Sequence, residues 1–298
     1  MKLMRSWAVL LLLTVMVIGN DTIKNPFLWE ITKKGTASFY LFGTMHFPDA
    51  KLAVLPPQLK EAIEKSDEVR TEIPMDMELQ MQSMHLMLRK DHKSLHDILS
   101  KNLYKRTEQY LKKINPQLNL IPFDTMKIWA LSTVISMLEN ELKNPGILAI
   151  DHTIYSYAKN NQKITGGIET IAEQIGSMDK LNLEEQIIAL ESTLDYMEEN
   201  HDYTAEMKQL YISGDEKKMM GFINGMMFEK EKYRAFEKKF MQVILYDRND
   251  LMFERIEALL KKSPEKQYLF AFGVMHFLGE QSIIEKLKFR GYNVKRVK

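Results

Sequence analysis

Apolar and polar residues alternate near both ends of the chain and follow a helical period between them. The runs FLWEITKKG and ASFYLFG are short, apolar and end on turn residues, which predicts a β-hairpin. A helix that begins at a proline pair follows over 55–65, and the alternation in DEVRTEI then predicts a strand over 67–73. Glu72 is therefore expected at the carboxyl end of a strand.

The middle of the chain, from about residue 75 to 262, has apolar residues three and four positions apart, as amphipathic helices do. One predicted strand interrupts it at 163–168, with Glu169 at its exit. The run QYLFAF, a helix over 278–290 and the strand YNVKRV close the chain. We expect an α/β (α+β) fold with a mixed central sheet. Strand–GxxH–helix–strand units from the N- and C-termini build this sheet around a large helical insertion at about 75–262.

Two nearly identical hexapeptides, FGTMHF and FGVMHF, each follow an apolar strand and differ at one position. Their glycines, Gly43 and Gly273, would let the backbone turn or approach closely where the strands end. In open α/β sheets this edge carries ligand sites. If the two strands are neighbours, the histidines of the motifs, His46 and His276, converge at that edge.

Glu72, at another strand end, is the natural third group of such a site. Two imidazoles and one carboxylate form a familiar divalent-metal site that leaves positions open for water or substrate. The chain has no cysteine, which excludes thiolate ligands and favours ions such as Mn²⁺, Co²⁺ or Zn²⁺ without deciding among them. The alternative is an ancient duplication that preserved both hexapeptides for structural reasons alone.

Four further side chains are candidates for chemistry. Arg248 and Asn249 open a predicted helix over 246–262, where exposed donors suit an anion or oxyanion, although helix capping alone accounts for an asparagine there. Asp49 and Glu280 lie three and four residues past a histidine. Either could serve as a general base or orient an imidazole. The sequence leaves the general base unassigned.

The N-terminal residues 1–19 are typical of an export signal. Two basic residues precede an apolar run over 7–18, which is shorter than the ~20 residues that span a bilayer. We expect cleavage near Gly19 and a single secreted or periplasmic domain over 20–298, or an N-terminal anchor if the signal is uncleaved. We expect no further membrane span. A formal net charge of +1 without a basic block argues against a nucleic-acid partner, and the oligomeric state stays open.

The motifs in their order resemble the TraB/PrgY/GumN family, which includes the catalytic domains of the Tiki metalloproteases. The resemblance covers about residues 24–298. The segments that carry it are FGTMHFPD, SDEVRTEIPMD, AIDHTIYSYAKNNQKITGGIETIAEQI, YDRNDLMFERI and FAFGVMHFLGEQSIIEKLKFRGYNVKRV. It implies an active-site signature of two GxxH motifs and a glutamate, which fall on Gly43–His46, Gly273–His276 and Glu72.

The same resemblance implies a metal-dependent peptidase, supported by Mn²⁺ or Co²⁺ more than Zn²⁺, that cleaves a peptide or protein near its N-terminus. Supporting family positions fall on Arg248 and Asn249, and on Asp151, Glu169 and Gln174. The chain differs from animal Tiki proteins, which end in a membrane anchor, and looks like a bacterial secreted member whose natural substrate is open. Two alternatives remain, a metal-free esterase-type hydrolase and a non-catalytic peptide- or pheromone-binding protein.

Overall fold

The computed structural model describes residues 23–199, 203–227 and 229–298. The predicted export signal over 1–19 lies outside these residues, and the division of the chain into a signal and one domain over 20–298 stays a prediction.

The described strands form one mixed sheet in the order β4–β3–β5–β2–β1–β6. They are β1 (Leu28–Thr32), β2 (Phe39–Thr44), β3 (Glu68–Thr71), β4 (Ile164–Gly167), β5 (Tyr268–Gly273) and β6 (Asn293–Arg296). β2, β5, β3 and β4 run parallel, and β1 is antiparallel to both β2 and β6. The predicted α/β fold class and hairpin are therefore confirmed, and β2 and β5 are neighbours, which is the condition for the convergence of the two motifs.

Helices cover both faces of the sheet and fill the long segment between β3 and β5. They are α1 (Pro57–Lys65), α2 (Met77–Ser83), α3 (Leu95–Ile98), α4 (Lys101–Ile114), α5 (Ile128–Lys143), α6 (Ile150–Asn160), α7 (Ile171–Met178), α8 (Leu183–Glu199), α9 (Tyr203–Ser213), α10 (Glu216–Met226), α11 (Arg234–Met241), α12 (Asp247–Lys262) and α13 (Ile283–Phe289). In the described part of the chain, no helix is long and apolar enough to cross a membrane.

The alternation of side chains along the strands separates two apolar layers. Phe270 and Phe272 of β5 point to one face, where they pack with α12 and α13. Leu269 and Ala271 point to the other face, where they pack with α1 and α6. Because successive residues of a strand face opposite sides, β5 needs apolar residues at nearly every position. A third apolar cluster joins α4, α5 and α8 into a helical lobe.

Two helix starts differ from the sequence-based expectation. The helix expected from residue 246 has no open N-terminus, because a π-helical turn over Gln242–Tyr246 joins α11 directly to α12. The last helix begins at Ile283 instead of residue 278, because Gly279 takes a positive φ of 85° and Ser282 caps the helix by accepting from the backbone N–H of Glu285.

Candidate active site

The ends of three neighbouring parallel strands bring the predicted site residues together. His46 follows β2, His276 lies in a 3₁₀ turn directly after β5, and Glu72 follows β3 on the other side of β5. Oε1 of Glu72 is 3.5 Å from Nε2 of His46 and 3.5 Å from Nε2 of His276. One carboxylate oxygen therefore faces both imidazoles.

The Glu72 carboxylate is buried and held by three protein donors. Its Oε1 accepts the backbone N–H of Gly273 at 2.6 Å. Its Oε2 accepts from Nη2 of Arg248 at 2.6 Å and from Nε2 of Gln174 at 2.8 Å. Gln174 is positioned by α7, which begins with a capping box between Thr170 and Glu173. The carboxylate therefore has a fixed orientation toward the histidines.

The imidazole of His46 is oriented by a buried carboxylate. Its Nδ1 lies 3.0 Å from Oδ2 of Asp151, in the first turn of α6, and Oδ1 of Asp151 accepts the hydroxyl of Thr44 at 2.6 Å. Asp151 is 1% exposed, whereas the His46 side chain is 54% exposed. The predicted supporting position of Asp151 thus places it behind His46, whose Nε2 is left to face the site.

His276 is oriented by a neutral partner instead. Its Nδ1 lies 2.6 Å from Oδ1 of Asn249, and the Asn249 amide nitrogen donates to the carbonyl of Gln281 at 2.9 Å. This arrangement makes Nδ1 the protonated nitrogen and leaves a lone pair on Nε2. Because the fully buried Asn249 amide serves His276 and Gln281, the expected use of Asn249 for an oxyanion is not supported.

The electrostatics of the site distinguish the two histidines. Asp151 holds the pKa of His46 well above its ordinary value, and this effect outweighs the partial loss of hydration around the half-exposed ring. Burial lowers the pKa of His276 to about 4. Burial also raises the pKa of Glu72, but both histidines and Arg248 outweigh it and hold this pKa well below the ordinary value. At neutral pH the site therefore contains an ionised Glu72 that faces a neutral His276.

Arg248 joins two buried carboxylates. Its Nη2 lies 2.6 Å from Oε2 of Glu72 and 2.6 Å from Oε2 of Glu169, its Nε donates to Glu169 at 3.0 Å, and its Nη1 donates to the carbonyl of Ile244. Burial raises the pKa of Glu169, while Arg248 opposes this rise. The guanidinium is thus occupied, and the expected helix start around it is absent, so the oxyanion role predicted for Arg248 is not supported. Its geometry is that of a residue that positions Glu72.

The two motif glycines have different surroundings. A Cβ added at Gly273 would lie 3.0 Å from Oε1 of Glu72 and 3.2 Å from Nε2 of His46, so glycine keeps space open between the site residues. A Cβ at Gly43 would lie 2.8 Å from Cγ2 of Val274, which explains this glycine by close packing of the two motif loops.

The two general-base candidates do not contact the histidines. Asp49 forms an ion pair with Lys208 at 3.0 Å and caps the turn that follows it. Glu280 is exposed, and in the part of the chain described by the structure no hydrogen bond connects it to His46 or His276. The general base therefore stays unassigned.

The described residues contain no group of three or more His, Asp or Glu side chains arranged as a ready-formed metal site. The carboxylate of Glu72 accepts protein donors on both oxygens. The metal-ligand roles of His46, Glu72 and His276 stay predictions.

Sequence reasoning missed one contributor to the site, Thr44, and predicted a different role for another, Asn249. Thr44, inside the first motif, donates to Asp151, and Asn249 contacts Nδ1 of His276 through its amide oxygen. Asp151 follows an apolar stretch in LAIDHTIY, and a polar residue at such a position needs a partner, whereas Asn249 lies between charged residues in YDRND and carries no such signal. The signal at Asp151 indicates that a partner exists, but does not identify it.

Comparison with known proteins identifies a matching family and several relatives of the chain. The model of the TraB/PrgY/gumN family matches residues 27–296. A "Metalloprotease TIKI homolog" of Nematostella vectensis is 27% identical over 92% of this chain and 67% of its own length. "Metalloprotease TIKI1" of Homo sapiens is 25% identical over 91% of this chain and 61% of its own length. "Uncharacterized protein YbaP" of Escherichia coli (strain K12) is 20% identical over 89% of this chain and 94% of its own length.

The chain spans 59% to 67% of the length of the first three TIKI relatives. No solved structure matches it. Because the family model covers nearly the whole described chain, the protein belongs to the TraB/PrgY/gumN family.

Proposed function

We propose that the protein is a metal-dependent peptidase whose divalent ion is held by His46, Glu72 and His276. The observation that carries this proposal is the approach of both Nε2 atoms to one carboxylate oxygen, each at 3.5 Å. The names of the TIKI relatives, which are metalloproteases, support the same class of enzyme.

The chemistry of the donors fits a cation. The neutral ring of His276 presents a lone pair on Nε2 to Oε1 of Glu72, which is also an acceptor. Two acceptors that face each other are stabilised by a positive charge between them. His46, Glu72 and His276 would hold such an ion between them, since each Nε2 lies 3.5 Å from Oε1. Oε1 has two lone pairs, so it can accept the Gly273 N–H and still bind an ion.

The surrounding residues would prepare this site for peptide hydrolysis. A bound divalent ion would supply Lewis acidity toward the scissile carbonyl and lower the pKa of a water molecule. Asp151 and Asn249 hold Nδ1 of the two imidazoles, so both rings aim Nε2 at the site. Arg248 and Gln174 fix the carboxylate of Glu72. The half-exposed His46 marks the side from which a substrate reaches the site.

The finer features of this activity rest on the resemblance to the Tiki proteins. We propose Mn²⁺ or Co²⁺ in preference to Zn²⁺, cleavage near the N-terminus of a peptide or protein substrate, and secretion or periplasmic location directed by residues 1–19. The absence of cysteine is consistent with a site built from nitrogen and oxygen ligands.

A metal-free hydrolase is the second candidate. The pair of Asp151 and His46 is a carboxylate–imidazole dyad, an arrangement that general acid–base catalysis also uses. In that reaction His46 would exchange protons with substrate directly, and Glu72 would stabilise its charged form.

A chelation and add-back experiment separates these functions. The protein is stripped of metal and assayed on a peptide library with Mn²⁺, Co²⁺ or Zn²⁺, together with His46→Ala, Glu72→Gln and the exposed control Glu254→Gln. We expect hydrolysis only with an added ion, a loss of about 100-fold or more in the two site variants, and full activity in Glu254→Gln. Activity in chelator that is lost in His46→Ala would establish the metal-free mechanism. Peptide binding without turnover, with metal bound, would establish a non-catalytic binding protein.

A further inference from the structure

Three methionine side chains form an exposed stripe on α2 and at the start of the 3₁₀ turn that follows it. Met77, Met81 and Met84 are 72%, 65% and 60% exposed. Every other methionine in the described ranges is buried or half-buried. Methionine usually fills gaps in an apolar core. Core packing therefore does not explain why these three, which we call the methionine stripe, lie together on the surface.

The segment that carries the stripe is held from its inner side. Asp76, directly before α2, accepts the hydroxyl of Tyr155 at 2.5 Å and Nζ of Lys159 at 2.9 Å. Leu86 and Met87, after the stripe, pack against an apolar cluster from α5 and α7. Contacts at both ends fix the backbone, so the stripe is presented to solvent by an anchored segment.

Helical spacing brings the thioether groups of the stripe together. Met81 follows Met77 by four residues, and Met84 follows Met81 by three. Met84 keeps a right-handed helical backbone with φ −56° and ψ −33°. Side chains at these spacings are neighbours on a helix, with Cβ atoms about 5–6 Å apart. Because methionine is unbranched and has three rotatable bonds, the sulfur atoms are free to turn toward one ion.

His85 adds a nitrogen donor beside the stripe. It follows Met81 by four residues and is exposed. Its Nδ1 lies 2.7 Å from the carbonyl oxygen of Gln82. Because a carbonyl oxygen only accepts, Nδ1 carries the proton and the neutral ring keeps a lone pair on Nε2. A backbone carbonyl behind the ring orients metal-binding histidines in the same way.

We propose that the methionine stripe and His85 bind one Cu(I) ion. Thioether sulfur is a soft ligand that favours Cu(I), whereas Mn²⁺ and Mg²⁺ favour oxygen ligands. The three thioethers and the neutral imidazole carry no charge, which suits a monovalent ion. The site is separate from the candidate active site, and the proposal does not rest on the peptidase function.

Competition for Cu(I) tests the proposal on the full chain. Metal-free protein is titrated under ascorbate and without oxygen against bathocuproine disulfonate, a chelator whose Cu(I) complex is coloured. X-ray absorption at the copper edge then identifies sulfur atoms bound to the ion. Melting temperatures establish that every variant is folded.

Three variants and one control separate the stripe from methionine in general. The stripe variant carries Met77→Leu, Met81→Leu and Met84→Leu, which keep apolar, helix-forming side chains at exposed positions. The shifted variant, Met81→Leu with Gln82→Met, keeps the number of methionines but moves one off the stripe. The third variant is His85→Gln. The matched control replaces three half-buried methionines of other helices, in Met137→Leu, Met207→Leu and Met226→Leu.

We expect one Cu(I) ion per wild-type chain, bound to sulfur. The stripe variant should bind it about 100-fold more weakly or worse, and the shifted variant and His85→Gln about tenfold more weakly. The matched control should keep the wild-type affinity, and excess Mn²⁺ should not displace Cu(I). Equal affinity in wild type and the stripe variant, or an equal loss in the matched control, would overturn the proposal. Unchanged affinity in His85→Gln would overturn the site as a four-ligand site.

Copper held at the candidate active site would give a different result. His46, Glu72 and His276 offer nitrogen and oxygen only, so an ion held by them would show no bound sulfur. Its affinity would fall in His46→Ala and stay unchanged in the stripe variant, which would overturn the proposal. Cu(I) bound to sulfur with the same affinity in His46→Ala as in wild type would support the stripe, whether or not the protein cleaves peptides.

Discussion

Thr44 of β2 lies opposite Gly273 of β5, so the two GxxH motifs are offset by one residue across the sheet. His46 is two residues past this pair and His276 is three, and the chain after Gly273 forms a 3₁₀ turn that buries His276. His46 remains half-exposed beside a carboxylate, whereas His276 is 4% exposed beside an amide. Nearly identical hexapeptides therefore produce two histidines with different environments.

The narrow space beside Gly273 predicts that the methyl group of an alanine at this position would disturb the site. In Gly273→Ala the new Cβ would lie 3.0 Å from Oε1 of Glu72 and 3.2 Å from Nε2 of His46, so the site must shift. A displacement of this kind costs about 100-fold in activity, and overpacking costs about 1–3 kcal/mol of stability. Peptide hydrolysis and urea unfolding measure both effects. Gly221→Ala is the control, since nothing lies within 4 Å of its new Cβ. Full activity in Gly273→Ala would contradict the site geometry.

Arg248 is the cation that two buried carboxylates share. Removing it in Arg248→Met leaves Glu72 and Glu169 without their shared cation, and we expect a loss of about 3–5 kcal/mol in the free energy of unfolding. Adding Glu169→Gln removes one unpaired charge and should recover about 1 kcal/mol or more. Urea unfolding of the double-mutant cycle measures the coupling. A double variant less stable than Arg248→Met would contradict this account.

A partly exposed arginine nearby provides the comparison. Arg255 pairs with Glu173 at 2.6 Å, but their side chains are 33% and 38% exposed. Solvent screening limits such a pair to about 1 kcal/mol. Arg255→Met should therefore destabilise the protein far less than Arg248→Met, although both remove one guanidinium from α12.

The convergence of the two motifs was predictable because each glycine ends an apolar strand, and parallel strand ends share one edge of a sheet. The identities of the orienting residues were not. Asp151 of α6 reaches His46 across 105 positions. Asn249 of α12, which packs on the opposite face of the sheet from α6, reaches His276. Both contacts therefore depend on tertiary packing. Spacing of apolar residues also could not distinguish the π-helical turn at Gln242–Tyr246 from an α-helix, because both keep similar apolar faces.

Asn249 is expected to affect metal binding without touching the ion. Asn249→Ala removes the acceptor for Nδ1 of His276 and leaves a buried donor unpaired, which costs about 1–3 kcal/mol of stability. The ring also loses its fixed orientation, so the affinity for Mn²⁺ or Co²⁺ should fall by about 10- to 100-fold. Calorimetric titration of the stripped protein measures this affinity. Unchanged affinity in a folded Asn249→Ala variant would mean that His276 does not hold the ion.

Asp195 provides a pH-dependent test of stability away from the site. Its side chain is 10% exposed and accepts from Arg106 at 2.7 Å, Lys232 at 2.7 Å and Tyr233 at 2.8 Å. Burial raises the pKa of Asp195, but these partners outweigh it and hold the pKa below the ordinary value of 3.8. The stabilisation is therefore complete well above pH 3.8 and is lost as the pH falls through the lower pKa of the folded state.

The variant Asp195→Asn isolates this contribution. Near pH 7 we expect it to unfold about 2 kcal/mol more easily than wild type, because the charge-assisted hydrogen bonds weaken. The difference should begin to shrink below about pH 3.8, where the unfolded wild-type chain takes up the proton. Urea unfolding at pH 7, 5 and 3 measures it. Glu198→Gln is the control, since Glu198 also contacts Arg106 but is 37% exposed and should contribute less than about 1 kcal/mol. A difference between wild type and Asp195→Asn that grows on acidification would contradict the ionised state of Asp195.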